Sequence, residues 1–340
     1  MPTPETFDVA VVGAGMAGLT AAGALDGAGR SVVVFDKGRG IGGRMATRRL
    51  GTAVFDHGAQ YFSVRSRGFG NVVATASEEG AAVVWSHGFP MLDSSGAMEL
   101  PGEGHPRWCG RPGMTAIPKR LAASLDVRTT SRVESVAVEG GRVVLRFDDG
   151  AVVESRACVL TPPVPQTLDL LDAGGVQINP DERAKLEAVD YEPCFALMAV
   201  LTKPAKVPPP GGLSLQGGPI AWIADNQQKG ISPLPAITIH ATGNWSREHF
   251  EHEPAAVASL LLAAAERWID GGAAGVVEQS LHRWKFARPV SMFETPLAVV
   301  HREPAIVLAG DAFAGQRVEA AVTSGAAAAR WLTRDDLSGS

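Results

Sequence analysis

Phe7-Asp-Val-Ala-Val-Val12-Gly13-Ala-Gly15-Met16-Ala17-Gly18 is an apolar run that breaks into spaced glycines. It then resumes on small apolar residues until Gly27 and Gly29. The first half predicts a buried strand and the second a helix, with the glycines as the turn between them. A second apolar strand follows over Ser31 to Phe35 and carries Asp36 at its C-terminal end. Strand, glycine turn, helix, strand and acid within about 30 residues is the order of a dinucleotide-binding βαβ unit. Gly13 permits the tight turn, Gly15 lets the backbone approach a diphosphate, and Gly18 lets helix and strand pack closely. The helix N-terminus offers free N–H groups and positive potential. Asp36 is placed to accept hydrogen bonds from a ribose.

Composition narrows the class. With 340 residues, 45% of them hydrophobic, the chain can build two domains, or one with a large insertion. Its 31 basic and 36 acidic side chains leave a net charge of −5, so no basic stripe for nucleic acid or anionic lipid is expected. Cys109, Cys158 and Cys194 are odd in number and widely spaced, which argues against a disulfide framework or a zinc site. Glu248-His-Phe-Glu-His-Glu253 has no partner at zincin spacing and reads as a solvated helix start. The N-terminal segment lacks a basic n-region, and the Ala-rich stretch from Ala320 to Leu332 is too short to cross a bilayer. The expectation is a cytoplasmic protein without nucleic-acid or membrane partners.

Two further segments turn a nucleotide site into an FAD site. Gly38-Arg-Gly-Ile-Gly-Gly43-Arg44-Met45 places a second glycine-rich turn and a guanidinium directly after Asp36, which a purely nicotinamide-binding unit does not need. Phe55-Asp-His57-Gly58-Ala59-Gln60-Tyr61-Phe62 then reads as a strand and bend approaching a ligand. Far downstream, the strand Ala305 to Leu308 leads into Gly310-Asp311, and Arg317-Val318-Glu319 opens a helix of small residues. Asp311 can bond ribityl hydroxyls, and that helix N-terminus can face the flavin pyrimidine, where negative charge collects on reduction. Between these parts lie a hairpin, Val133 to Val138 with Arg142 to Phe147, and a strand from Ala157 to Leu160 closed by Thr161-Pro-Pro. Strands at Phe195 to Leu201, Ile220 to Ala224, Ile237 to His240 and Val276 to Trp284, with a helix from Ala255 to Ile269, read as an inserted sheet domain.

Assembled, these residues resemble the renalase-like family of the FAD-dependent amine oxidase superfamily. The resemblance rests on Val12-Gly-Ala-Gly-Met-Ala-Gly18, Asp36-Lys37, Gly42-Gly-Arg-Met-Ala-Thr-Arg48, Asp56-His-Gly-Ala-Gln-Tyr-Phe62, Asn226, Trp245-Ser-Arg-Glu-His249, Trp284, Ala287-Arg-Pro289 and Gly310-Asp-Ala-Phe313 with Arg317-Val-Glu319. It implies an α/β fold: a Rossmann-type FAD domain (1–65, 110–165 and 286–336) with an inserted mixed-sheet α+β substrate domain (66–109 and 166–285), like p-hydroxybenzoate hydroxylase. It also implies oxidation of 2-dihydro and 6-dihydro isomers of NAD(P)H to NAD(P)+, with O2 taking the electrons as hydrogen peroxide. The expected noncovalent FAD set comprises Gly13, Gly15, Met16, Ala17, Gly18, Asp36, Lys37, Gly43, Arg44, Met45, His57, Gly58, Ala59, Gln60 and Tyr61. Val133, Thr161, Gly310, Asp311, Arg317, Val318 and Glu319 complete it.

The chain departs from the broader amine-oxidase pattern in two respects. Gly40 stands where those enzymes usually carry an arginine, two residues before the double glycine. Only two tyrosines occur, Tyr61 and Tyr191, so a tyrosine-pair cage for an amine is harder to build, although Trp and Phe can substitute. A second GxGxxG is absent, so a nicotinamide would enter as substrate. Hydride passing from a dihydropyridine carbon to flavin N5 restores aromaticity and needs little acid–base help. The protein's task is then to stack the rings within about 3–3.5 Å. Gln60 and Tyr61 beside the flavin, with Asn226, His240, Trp284 and Arg288, are the substrate-facing candidates, and no residue is assigned as acid or base. His240 and Trp284 equally fit core positions, and Arg288 a turn. The rival activity is an amine oxidase or desaturase acting on another small molecule, and the rival class is a flavin-binding protein without turnover.

Overall fold

The computed structural model describes residues 4–102 and 104–334. They form two compact units, each discontinuous in sequence. Of these residues, the first unit takes 4–43, 118–190 and 289–334, and the second takes 44–102, 104–117 and 191–288.

The first unit is built on an eight-stranded sheet. Glu5–Val12 lies at its centre, parallel to Val32–Phe35 on one side and to Val152–Leu160 on the other. Val32–Phe35 pairs in turn with Asp126–Arg128. Along its other edge, the long strand Val152–Leu160 has two further partners. Its first half pairs antiparallel with the hairpin strand Arg142–Phe147, and its second half pairs parallel with Ala305–Leu308. Parallel strands covered on both faces need unbroken apolar runs, and Val9, Val11, Val34, Val159 and Val307 are all fully buried. Helices Met16–Asp26 and Val318–Arg334 pack together, and Leu19, Leu25, Ala328 and Leu332 join the sheet residues in one core.

The second unit holds a seven-stranded sheet, in the order Val276–Pro289, Tyr191–Leu201, Ala236–Ala241, Ile220–Asp225, Gly212–Leu215, Met91–Leu92 and Met98–Glu99. Alternation divides its faces. Leu197, Ile239, Ile223 and Leu213 point to one side and form a core with Val257, Leu261 and Trp268. The opposite side carries Ala196, His240, Trp222 and Ser214, which follow one another across neighbouring strands in register. This is the period-two rule of a strand turned into a greasy face and a chemical face.

The structure divides the chain differently from the sequence expectation at four places, the shortest being 286–288, which stays with the second unit. Residues 44–65 group with the second unit because Thr47–Leu50 and Ala53–Asp56 form their own hairpin, whose Asp56 bonds to Lys229. Residues 111–117 join the same unit, where Met114 N–H and Thr115 bond Asp56 and Thr47. Residues 166–190 group with the first unit, where helix Val164–Ala173 packs on Val133–Glu139. The helix expected over 255–269 ends at Ala264, and a 3-10 turn at Glu266–Trp268 tucks the Trp268 ring into the core. The strand expected to end at Trp284 continues to Pro289.

Candidate active site

In the first unit, the glycine turn is dictated by what lies around it. Gly13 has φ +103°, and a Cβ there would overlap Thr161 Oγ1. Thr161 itself hydrogen-bonds the carbonyls of Val12 and Gly13, at 2.8 and 3.2 Å, and so clamps the strand end. A Cβ on Gly18 would overlap the Gly13 carbonyl. Gly15 differs: it caps the helix in extended conformation (φ −85°), and a Cβ there would meet nothing within 4 Å. No packing in the protein demands glycine at 15. That open space above a helix N-terminus is the cradle an approaching diphosphate needs, so these residues fit the group.

The second glycine loop lies against the first. Gly42 N–H donates to Ala14 O at 2.8 Å, and the Cβ position of Gly43 is 3.6 Å from Gly15 Cα. Asp36 binds both segments, accepting from Ala14 N–H at 2.8 Å and Gly38 N–H at 2.7 Å. Its oxygens each retain a further lone pair for a ribose, so the acid both shapes the turn and can read a ligand. Lys37 Nζ bonds the Gln166 side chain at 3.2 Å, and burial lowers its pKa. Val133 is buried at the start of its strand, just after residues whose backbone follows Asp36 and Gly38. At the C-terminal end, Gly310 N–H donates to the buried Ser324 Oγ, which in turn bonds Pro296 O. This anchors Asp311 and the start of the helix at Val318 and Glu319. Glu319 is buried, whereas Arg317 just before the helix is exposed.

The 3-10 turn Gly43–Met45 spans the sequence boundary between the units, with Met45 buried. Arg44 accepts from Ala59 N–H at 2.8 Å through its carbonyl, and its guanidinium reaches Phe286 O at 3.4 Å. Around the adjacent bend, three of the expected substrate-facing residues come together. Gln60 Nε2 donates to Asp56 O at 2.6 Å and lies 3.5 Å from His240 Nε2. His240 Nε2 contacts His57 O at 3.2 Å, and Trp284 Nε1 donates to the same oxygen at 2.8 Å. The Trp284 ring stacks with His57 at 5.4 Å. Gln60 Oε1 and His57 Nδ1 are buried without a protein partner. A bound ligand or an ordered water would satisfy both atoms.

The other expected residues sit elsewhere. Tyr61 belongs to an aromatic group with Phe89 and Trp222. Asn226 is fully buried, its amide donating to Thr238 Oγ1 at 3.0 Å. That hydroxyl in turn donates to Asp56 O, the carbonyl that Gln60 Nε2 also bonds, so Asn226 lies directly behind the cluster, with its Oδ1 buried and unpartnered. Arg288 is exposed and paired with Glu192 at 2.5 Å.

Two functional positions escape sequence reasoning. His282 lies 5.0 Å from His57 and 4.3 Å from Trp284, ring centre to ring centre. Lys229 is fully buried, donating to Asp56 Oδ2 and to Gln60 O, each at 2.7 Å, with its Nζ 4.7 Å from the Trp85 ring centre. Flanked by Gln-Gln and Gly230, it looks like a surface turn residue. The tightly wound loop carries it inward, because Asp225 Oδ1 accepts from the N–H groups of both Gln227 and Gln228.

The imidazoles here are kept neutral. Burial, then His282, Arg48 and His240, push His57 down from an ordinary 6.5 to about 3. Burial, against a hydrogen bond to His57, takes His240 to about 4. Burial and Arg48 also lower His282. The sign follows from proton counting. Between these values and 6.5 the unfolded chain binds more protons, so stability is full above about 6.5 and is lost as pH falls toward 4. Denaturant titrations near neutrality and near pH 5 should give a lower midpoint at the acid pH, and His240→Asn should shrink that difference. An equal difference in the variant would remove His240 from this account.

Comparison with known proteins bears on the family, the cofactor and the fold. The sequence model described as flavin containing amine oxidoreductase matches residues 68–332, and that described as an NAD(P)-binding Rossmann-like domain matches residues 11–76. The chain belongs to the flavin-containing amine oxidoreductase family. It is similar to renalase of Mus musculus, 25% identical over 343 residues, spanning 96% of this chain and 98% of that protein. Among solved structures, it resembles a protein from Exiguobacterium sp. 255-15 provisionally assigned as a protoporphyrinogen oxidase (TM-score 0.76, 14% identity, 99% of this chain and 100% of that one). It also resembles putrescine oxidase bound to putrescine (TM-score 0.73, 16% identity, 98% and 100%). These two likenesses speak for the fold. The protein is thus a renalase-like, FAD-dependent oxidoreductase with a mixed α/β fold. Among the described residues, no helix is long and apolar enough to cross a membrane.

Proposed function

We propose that this enzyme oxidises 2-dihydro and 6-dihydro isomers of NAD(P)H to NAD(P)+, with dioxygen as the final acceptor and hydrogen peroxide as the product. The observation that carries the reading is the neutral cluster of Gln60, His57, His240 and Trp284, which offers hydrogen-bonding edges and a ring wall but no charged acid or base. A dihydropyridine loses hydride to become an aromatic cation and needs no proton removed. Neutral imidazoles add no positive charge of their own beside that cation. FAD, when bound, would supply the hydride acceptor and the route of the electrons to dioxygen.

Within this reading, the first unit holds the nucleotide through Gly13, Gly15, Gly18 and Asp36, and Asp311 takes ribityl hydroxyls. Gln60 and His240 bond the carboxamide, and Trp284 bounds the ring. FAD is held noncovalently, which suits the three thiols: Cys109 and Cys158 are buried, Cys194 is half-buried, and desolvation pushes the Cys194 thiol up to about 12. The fold belongs, in this proposal, with the p-hydroxybenzoate hydroxylase type.

An amine substrate is disfavoured by a specific contact pattern. A cage for an ammonium needs free aromatic faces. Here Arg107 already lies over Tyr61, at 5.6 Å, and Lys229 over Trp85. The test is anaerobic mixing of the oxidised enzyme with 6-dihydro-NAD, ordinary NADH or simple amines while flavin absorbance is followed. Rapid bleaching by 6-dihydro-NAD supports the proposal. Bleaching by amines alone overturns it, as does silence with every donor.

A further inference from the structure

Trp222 stands directly opposite His240 in the sheet register, on the same face, and Tyr61 follows Gln60 in the chain. The neutral cluster therefore continues into a second, purely aromatic one. Tyr61 and Phe89 have ring centres 5.0 Å apart, Phe89 and Trp222 5.0 Å, Tyr61 and Trp222 5.7 Å, and Phe89 and Trp85 4.6 Å. All four side chains are half-buried; Arg107 lies over the Tyr61 ring and Lys229 over the Trp85 ring, so Phe89 and Trp222 carry the aromatic surface left for a ligand. Nothing in the hydride chemistry described above uses them.

The polar groups around these rings define what they would accept. Arg107 is half-buried, with its guanidinium carbon 5.6 Å from the Tyr61 ring centre, and it makes no ion pair among the described residues. Trp222 Nε1 is buried without an acceptor. Half-buried rings stack with a flat heteroaromatic base. An unpaired guanidinium held on a ring recognises phosphate oxygens. The orphaned indole N–H has a donor to satisfy. A cationic ligand is opposed by Arg107 and by Lys229 against Trp85.

We infer that Tyr61, Phe89, Trp222 and Arg107 form a subsite for the adenine–diphosphate half of a dinucleotide substrate, beside the cluster that takes its nicotinamide. The inference rests on the dihydronicotinamide reading for its substrate, but the subsite itself can be tested separately. It makes the enzyme selective for dinucleotides over mononucleotides, with the nicotinamide held alike in both.

The experiment uses the FAD-loaded enzyme, its Arg107→Gln and Phe89→Leu variants, and two donors, 6-dihydro-NAD and 6-dihydronicotinamide mononucleotide. The wild-type KM should be lower for the dinucleotide. Each variant should raise that KM about 10-fold or more, the scale of a lost base stack or charged contact. The mononucleotide KM and both kcat values should stay within about twofold, which a general loss of structure would not produce. Equal wild-type KM values, or equal rises for both donors, overturn the subsite. Calorimetric titration of the same holoenzymes with ADP separates the two proposals. If neither donor bleaches the flavin, yet ADP binds the wild type and not Arg107→Gln, the subsite stands and the substrate reading falls. No ADP binding together with no dinucleotide preference overturns the subsite.

Discussion

Gly15→Val is expected to yield a folded protein that purifies without flavin. The backbone at 15 is extended, a conformation valine adopts readily, and a side chain there meets no protein atom within 4 Å. The fold therefore tolerates the change. The diphosphate does not, because the valine methyl groups occupy the space through which it reaches the helix N-terminus. A weakening of about 100-fold, near 2.8 kcal/mol, is a modest figure for such an overlap. The expected measurement is a normal circular dichroism spectrum with the flavin absorbance lost, and little recovery on adding FAD. Gly18→Ala makes the contrast. Its methyl overlaps the Gly13 carbonyl, so the turn itself must shift and both stability and FAD fall. A Gly15→Val protein that retains FAD like the wild type would mean that the diphosphate passes elsewhere.

The second large effect is expected at Lys229. Its ion pair with Asp56 is fully buried at both ends, with an N–O distance of 2.7 Å. Asp56 is also held by Thr47 Oγ1 at 2.6 Å and Met114 N–H at 2.8 Å. Lys229→Met leaves that carboxylate buried without its cation, a change that costs about 3–5 kcal/mol. It also frees Gln60 O, so the bend that presents His57 and Gln60 loses one of its ties. Urea unfolding at fixed FAD concentration should report the loss, and kcat should fall with it. Adding Asp56→Asn to Lys229→Met removes the stranded charge and should restore part of the stability. A cost under about 1 kcal/mol for Lys229→Met would show that the pair is not important to the folded state.

How far these features were legible beforehand depends on the distance over which they are encoded. The nucleotide half was readable because its parts are neighbours in the chain. Gly13, Gly15, Gly18 and Asp36 sit at spacings set by one strand, one turn and one helix, and the structure adds only their partners, such as Thr161 under Gly13. Candidates chosen by residue type fared unevenly. His240 and Trp284 meet at the His57 carbonyl with Gln60 beside them, Asn226 lies buried behind them, and Arg288 pairs with Glu192 at the surface. Periodicity separates buried from exposed faces, but it does not say which of two chemically similar positions faces which neighbour.

By itself, then, the sequence determined the class of cofactor and the α/β scaffold, since both follow from local spacing and apolar pattern. Tertiary structure alone decided the ion pair between Asp56 and Lys229, 173 residues apart, and the contact between His57 and Trp284, 227 apart. A lysine beside a glycine is favoured at the surface by its charge. It is buried here because a carboxylate and a carbonyl, delivered by a distant hairpin, offset the cost of removing that charge from water.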